Sequence, residues 1–134
     1  MKKFLVLFIL ALSTIHCSNE FKPENMQGTW VIEDLKANIQ DLSPAVLEGG
    51  EKEAYSSVYE FLENDRFKLK SNAFPDGIEG SYELNLDSNY LKMNMVESVG
   101  SYESYKLSDI APNNMTWTLD MGERGNVVFK VIRK

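Results

Sequence analysis

From residue 28 onward the chain alternates apolar and polar residues in eight short runs, most of them separated by turn residues. A period of two places successive side chains on opposite faces of an extended strand, which a helical repeat cannot do. The runs span residues 28–35, 57–62, 66–70, 78–86, 90–96, 101–107, 114–121 and 126–133. Between them stand Glu63-Asn64-Asp65, Pro75-Asp76-Gly77, Asp87-Ser88-Asn89, Gly100, Pro112-Asn113 and the loop 122–125. These are residues that preset or tolerate turn dihedrals. Eight strands in sequential hairpins predict an all-β fold, an eight-stranded up-and-down antiparallel β-barrel, whose closure leaves no exposed sheet edge.

The alternation assigns an inward face. Its members are Trp30, Ile32, Tyr59, Phe61, Phe67, Leu69, Tyr82, Leu84, Leu86, Leu91, Met93, Met95, Tyr105, Leu107, Met115, Trp117, Leu119, Met121, Val127, Phe129 and Val131. In the sixth run Tyr102 and Tyr105 have opposite parity, so its phase is set only by the larger pattern. Eight of the inward residues are aromatic, and an eight-stranded barrel is just wide enough for side chains to fill. The expected interior is therefore mostly filled. Any cavity is expected to be small, near one end, and lined from Tyr59, Phe61, Tyr82, Met93, Met95, Tyr105, Met115 and Trp117.

One connection is long. Residues 36–56 contain Ser43-Pro44, a helix cap followed by a first-turn proline. One or two helical turns are expected over 45–48, stopped by Gly49-Gly50, with another turn over 51–57. The expected product is a short helical lid between strands one and two.

The first residues read differently. Lys2 and Lys3 precede an unbroken apolar run over 4–12. Nine residues are too few to span a bilayer, which takes about 20, but they suit the apolar core of a signal peptide. Cys17, the chain's one cysteine, follows shortly after. In these features the segment resembles a bacterial lipoprotein precursor, in which cleavage precedes a lipid-modified cysteine. Thr14 and His16 stand where that family prefers an aliphatic residue and a small one. The resemblance implies a signal peptide over 1–16, a lipidated Cys17 with a tether over 17–27, and a barrel domain over 28–134. It also implies attachment to a membrane of the cell envelope, at the outer membrane or its periplasmic face. The alternative is plain secretion, with Ala11 and Ser13 marking a cut before Thr14.

Gly28-Thr29-Trp30 is the G-x-W that opens lipocalin and related calycin barrels. With Tyr59 and Phe61, Gly80 and Tyr82, and Met115–Thr118, the chain resembles small lipocalin-like domain lipoproteins of Bacteroidetes-type bacteria. A T-D-Y motif of other lipocalins is absent. The resemblance implies that Gly28 and Trp30 mark the closed barrel end and that a cation of the last strand, Arg133, packs on the Trp30 ring. Fold alone does not fix function; the leading expectation is a non-enzymatic barrel that binds a small apolar ligand.

Composition narrows the chemistry. Cleavage before Cys17 leaves 118 of the 134 residues, removes Lys2, Lys3 and His16, and takes the net charge from −6 to −8. Without histidine or a free thiol, Ser–His–Asp, Cys–His and Cys/His zinc sites cannot be built. No glycine-rich phosphate loop opens a helix. No metal or cofactor is expected, and Asp87-Ser88-Asn89 reads as a turn rather than a calcium loop. The acidic balance lacks the basic footprint of a nucleic-acid binder, and it suits a basic protein partner. Two rival readings therefore stand beside the ligand-binding barrel. One is a protein-binding module, such as an envelope inhibitor or accessory subunit with a filled barrel. The other is a weak carboxylate-based hydrolase.

Overall fold

The computed structural model describes residues 20–95 and 102–134. The fold is a closed antiparallel barrel in which every strand pairs with its sequence neighbour and the eighth closes onto the first. The strands are β1 (Gly28–Ile39), β2 (Val58–Leu62), β3 (Arg66–Lys70), β4 (Ile78–Asn85), β5 (Tyr90–Met95), β6 (Tyr102–Ser108), β7 (Asn114–Asp120) and β8 (Gly125–Arg133). One α-helix, α1 (Pro44–Ser56), lies between β1 and β2. The signal-peptide residues 1–16 and Cys17 lie outside the described residues.

Strand β1 is four residues longer than its alternation predicts, and the reason is local. Ile32 pairs with Val131 but Asp34 pairs with Lys130, so Glu33 is an extra residue in a β-bulge. A bulge flips the facing of everything after it. Trp30 and Ile32 face inward before it, and Leu35, Ala37 and Ile39 take the sheltered face after it. Strand β2 accompanies β1 only from Gly28 to Val31, whereas β8 accompanies it to Ile39. The far two thirds of β1 therefore have one strand neighbour, and α1 packs against β1.

The helix also corrects the expectation of two separate turns. Ser43 caps it, its Oγ accepting from the Val46 amide at 3.3 Å, and Pro44 occupies the first turn. It then runs unbroken through Gly49-Gly50. A glycine ends a helix mainly by turning left-handed, and neither of these has positive φ. Glu48 and Lys52, 2.9 Å apart, bracket the pair.

The barrel has two unlike ends. Both chain termini of the sheet and the β2–β3, β4–β5 and β6–β7 turns lie at one end. Helix α1 and the β3–β4 and β7–β8 turns lie at the opposite end. At the first end the residues just before β1 pack on the barrel. Pro23–Met26 forms a 3-10 turn, and Met26 is fully buried. Trp30 Nε1 donates to the Met26 carbonyl at 2.9 Å, and Phe21 meets the Trp30 ring edge-on at 6.5 Å. The Arg133 guanidinium lies 4.7 Å from the centre of the Trp30 ring. Its nitrogens donate to the Gln27 and Pro112 carbonyls.

The interior above Trp30 is a packed aromatic cluster. Tyr59 meets Trp117 edge-on at 5.2 Å, and Phe61 meets Tyr82 edge-on at 4.9 Å. Gly80 makes room for this, since a Cβ there would sit 2.7 Å from the Phe67 ring. In β6 the inward residues are Tyr105 and Leu107, and Tyr102 is exposed. Met121, expected inward, lies past the end of β7 and is exposed, because a 3-10 turn, Gly122–Arg124, begins right after it. Met26 and Ile78 join the core without having been assigned to it.

Candidate functional site

An apolar cavity of about 270 Å³ lies between α1 and the barrel wall at the lidded end. The bulge builds its floor. It turns Leu35, Ala37 and Ile39 of β1 inward beside Val127 and Phe129 of β8. The helix builds its roof with Val46, Leu47, Gly50, Glu51 and Ala54, and Leu42 closes the gap before the helix. Val46, Gly50 and Ala54 recur every four residues, which aligns them on one helix face. Phe129 meets Tyr105 edge-on at 6.0 Å, so the cavity rests directly on the aromatic core.

Polar contacts hold the C-terminal half of the lid. The Tyr55 hydroxyl accepts from the Leu35 amide at 3.1 Å. The Glu53 carboxylate accepts from the Ala73 amide at 3.1 and 3.3 Å, and Ser56 Oγ accepts from the Asn72 amide at 3.0 Å. The N-terminal half presents Val46 to solvent at 61% exposure. The lid is thus tied at one end and open at the other.

The eight residues expected to line a cavity do not line this one. Tyr59, Phe61, Tyr82, Met93, Tyr105, Met115 and Trp117 are buried in the core, and Met95 packs against it. They fill the barrel instead of shaping a hole in it. The residues that do shape the hole come from 35–54 and 127–129. Much of that first stretch reads as a loop in sequence. The signal that could have found it is a second alternation, Leu35, Ala37, Ile39, out of phase with the first.

The core beneath the site holds two buried phenols, Tyr59 and Tyr105. The Tyr105 hydroxyl donates to the Glu103 carboxylate. Burial, and after it the Glu103 charge, pushes the Tyr59 phenol far above its ordinary value. Burial and the neighbouring Tyr59 do the same to Tyr105. Both phenols stay protonated at neutral pH, and that of Tyr105 donates to Glu103. Trp117 Nε1 is buried with no hydrogen-bond partner among the described residues. Also among the described residues, no three His, Cys, Asp or Glu side chains converge as a metal site, and no helix is long and apolar enough to cross a membrane.

Fold and site together define a closed eight-stranded antiparallel barrel with one helix over an apolar cavity. No family model matches the chain, and no curated protein matches it. Among solved structures it is similar to an uncharacterized protein from Bacteroides eggerthii, at 12% identity and a TM-score of 0.49, covering 81% of this chain and 98% of that one.

Proposed function

We propose that the chain is a lipid-anchored, lipocalin-like barrel of the bacterial envelope that acts by binding one small apolar molecule and not by catalysis. The observation that carries this reading is the cavity of about 270 Å³ under α1. Its lining residues are apolar apart from Glu51, so an apolar guest gains about 25 cal/mol for each Å² taken out of water. The volume falls just below the ~300–1,000 Å³ of typical small-molecule sites, which favours a short chain or a single ring. The test is titration of the full chain with octanol. One saturable site per chain is expected, and it should vanish in Gly50→Leu, whose side chain would grow into the cavity. Non-saturable uptake, or equal uptake by the variant, overturns the reading.

The anchor in this proposal is a lipid on Cys17. Only residues 18–20 separate it from Phe21, where packing against the barrel begins. Three extended residues reach about 10 Å. Such a short link would hold the Trp30 end toward the membrane and the cavity away from it. Labelling cells with a palmitate analogue tests the anchor: the wild-type chain should take up label and Cys17→Ser should not. Undiminished label in the variant would leave plain secretion.

A second reading is a protein-binding module with a basic partner. It is favoured by the exposure of Val46, Tyr55 and Phe74 on and beside the lid, above a filled aromatic interior. This reading expects no octanol site.

A further inference from the structure

The cavity's charge is as informative as its shape. Its lining contains no lysine, arginine or histidine, and its one ionisable member is Glu51. Glu51 is half-buried on α1 and has no cation within ion-pairing distance among the described residues. The nearest lysine in sequence, Lys52, is already paired with Glu48. A guest carrying a carboxylate would have to leave water beside a like charge with no counter-ion in the wall, and both terms oppose it. A guest carrying an ammonium would meet an opposite charge at the point where its polar end can stay partly hydrated.

We infer that Glu51 makes this a site for amphiphiles with a short apolar body and an ammonium end, and that it excludes fatty carboxylates of the same length. The inference rests on the proposed apolar site and names its ligand class. Gly50 places the guest's body next to Glu51. A Cβ built on Gly50 meets nothing within 4 Å although the residue lines the cavity, so the open space begins at the Gly50 Cα, and Glu51 lines the same cavity. The guest would lie with its chain against Gly50, Ala54 and Phe129 and its charged end at Glu51.

The test compares three probes of one chain length, octylammonium, octanol and octanoate, on the full chain at fixed ionic strength. Octylammonium should bind about tenfold or more tightly than octanoate, a difference of about 1.4 kcal/mol, with octanol between them. Glu51→Gln should bring the two charged probes close to equal, and Glu51→Lys should reverse their order. Gly50→Leu should weaken all three together, which separates cavity binding from adsorption. If octanol binds but octylammonium and octanoate bind equally well to the wild-type chain, the ligand class is wrong and the apolar site stands. If octanol does not bind either, the site itself fails. A preference for octylammonium that survives Glu51→Lys would assign the selectivity to another residue and overturn the role of Glu51.

Discussion

The Leu35 amide donates to the Tyr55 hydroxyl at 3.1 Å, and this bond ties the lid helix to the barrel just past the β-bulge. Strand β2 has already left β1 at that point, so the amide finds a phenol where a strand carbonyl would otherwise stand. Tyr55→Phe leaves that amide without its protein partner, and an intramolecular hydrogen bond of this kind contributes about 0.5–1.5 kcal/mol. The expected outcome is a stability loss in that range in urea unfolding. Hydrogen exchange at Leu35 and through α1 should also quicken. Exchange unchanged at Leu35 would show that the bond does not hold the lid.

Glycines 49 and 50 sit in mid-helix with helical dihedrals and open space where a Cβ would go. Glycine in a helix interior costs about 0.5–1 kcal/mol relative to alanine. Gly49→Ala is therefore expected to stabilise α1 by about that amount, seen as slower amide exchange in the helix. Gly50 lines the cavity and Gly49 does not, so only the substitution at 50 should reduce octanol binding. Faster exchange in Gly49→Ala would mean that the helix needs a bend there.

The strands were legible because most of them keep a strict two-residue period, and β3 begins and ends where its alternation does. The cavity was not legible, for two physical reasons. One extra residue at Glu33 reverses the facing of β1, so Leu35, Ala37 and Ile39 look out of register with Trp30 and Ile32. Two glycines in α1 look like a stop, although their backbone stays helical and the helix passes through them. Both features hide the same thing, since the part of β1 past the bulge and the middle of α1 both line the site. Met26 was hidden differently: the short polar stretch around it carries no period, and its burial depends on the Trp30 indole reaching its carbonyl.

At the other barrel end, Gly28 and Arg133 form a close pair. Gly28 has φ +125°, and a Cβ on it would lie 2.7 Å from an Arg133 nitrogen. Gly28→Ala therefore meets an unfavourable backbone conformation and a steric conflict at once, and a loss of about 1–3 kcal/mol is expected. Arg133→Met removes the cation above Trp30 and the donors to Gln27 and Pro112, with an expected loss of about 1–3 kcal/mol. Both losses are read from urea unfolding midpoints. Because the two residues touch, the double variant should lose less than the two singles added together. Full additivity would show that they act separately.

Alkaline pH should destabilise the barrel through its buried phenols. Tyr59 and Tyr105 titrate above their ordinary value of 10.0 in the fold, by burial first and then by neighbouring groups. The unfolded chain ionises them near that ordinary value, so above it the unfolded state holds fewer protons than the native one, and stability falls as pH rises. Their contribution is fully present below about pH 10 and is lost progressively above it, toward the raised native values. Urea unfolding of the full chain at pH 8 and pH 11 is the measurement, with an earlier midpoint expected at the higher pH. A Tyr59→Phe, Tyr105→Phe double variant starts from a lower stability at pH 8 because it gives up the Tyr105 bond to Glu103. Its midpoint should nevertheless change less between the two pH values than that of the wild type. An equal change in both proteins would place the alkaline loss elsewhere, as in Tyr82, whose phenol is also raised by burial and by Asp65.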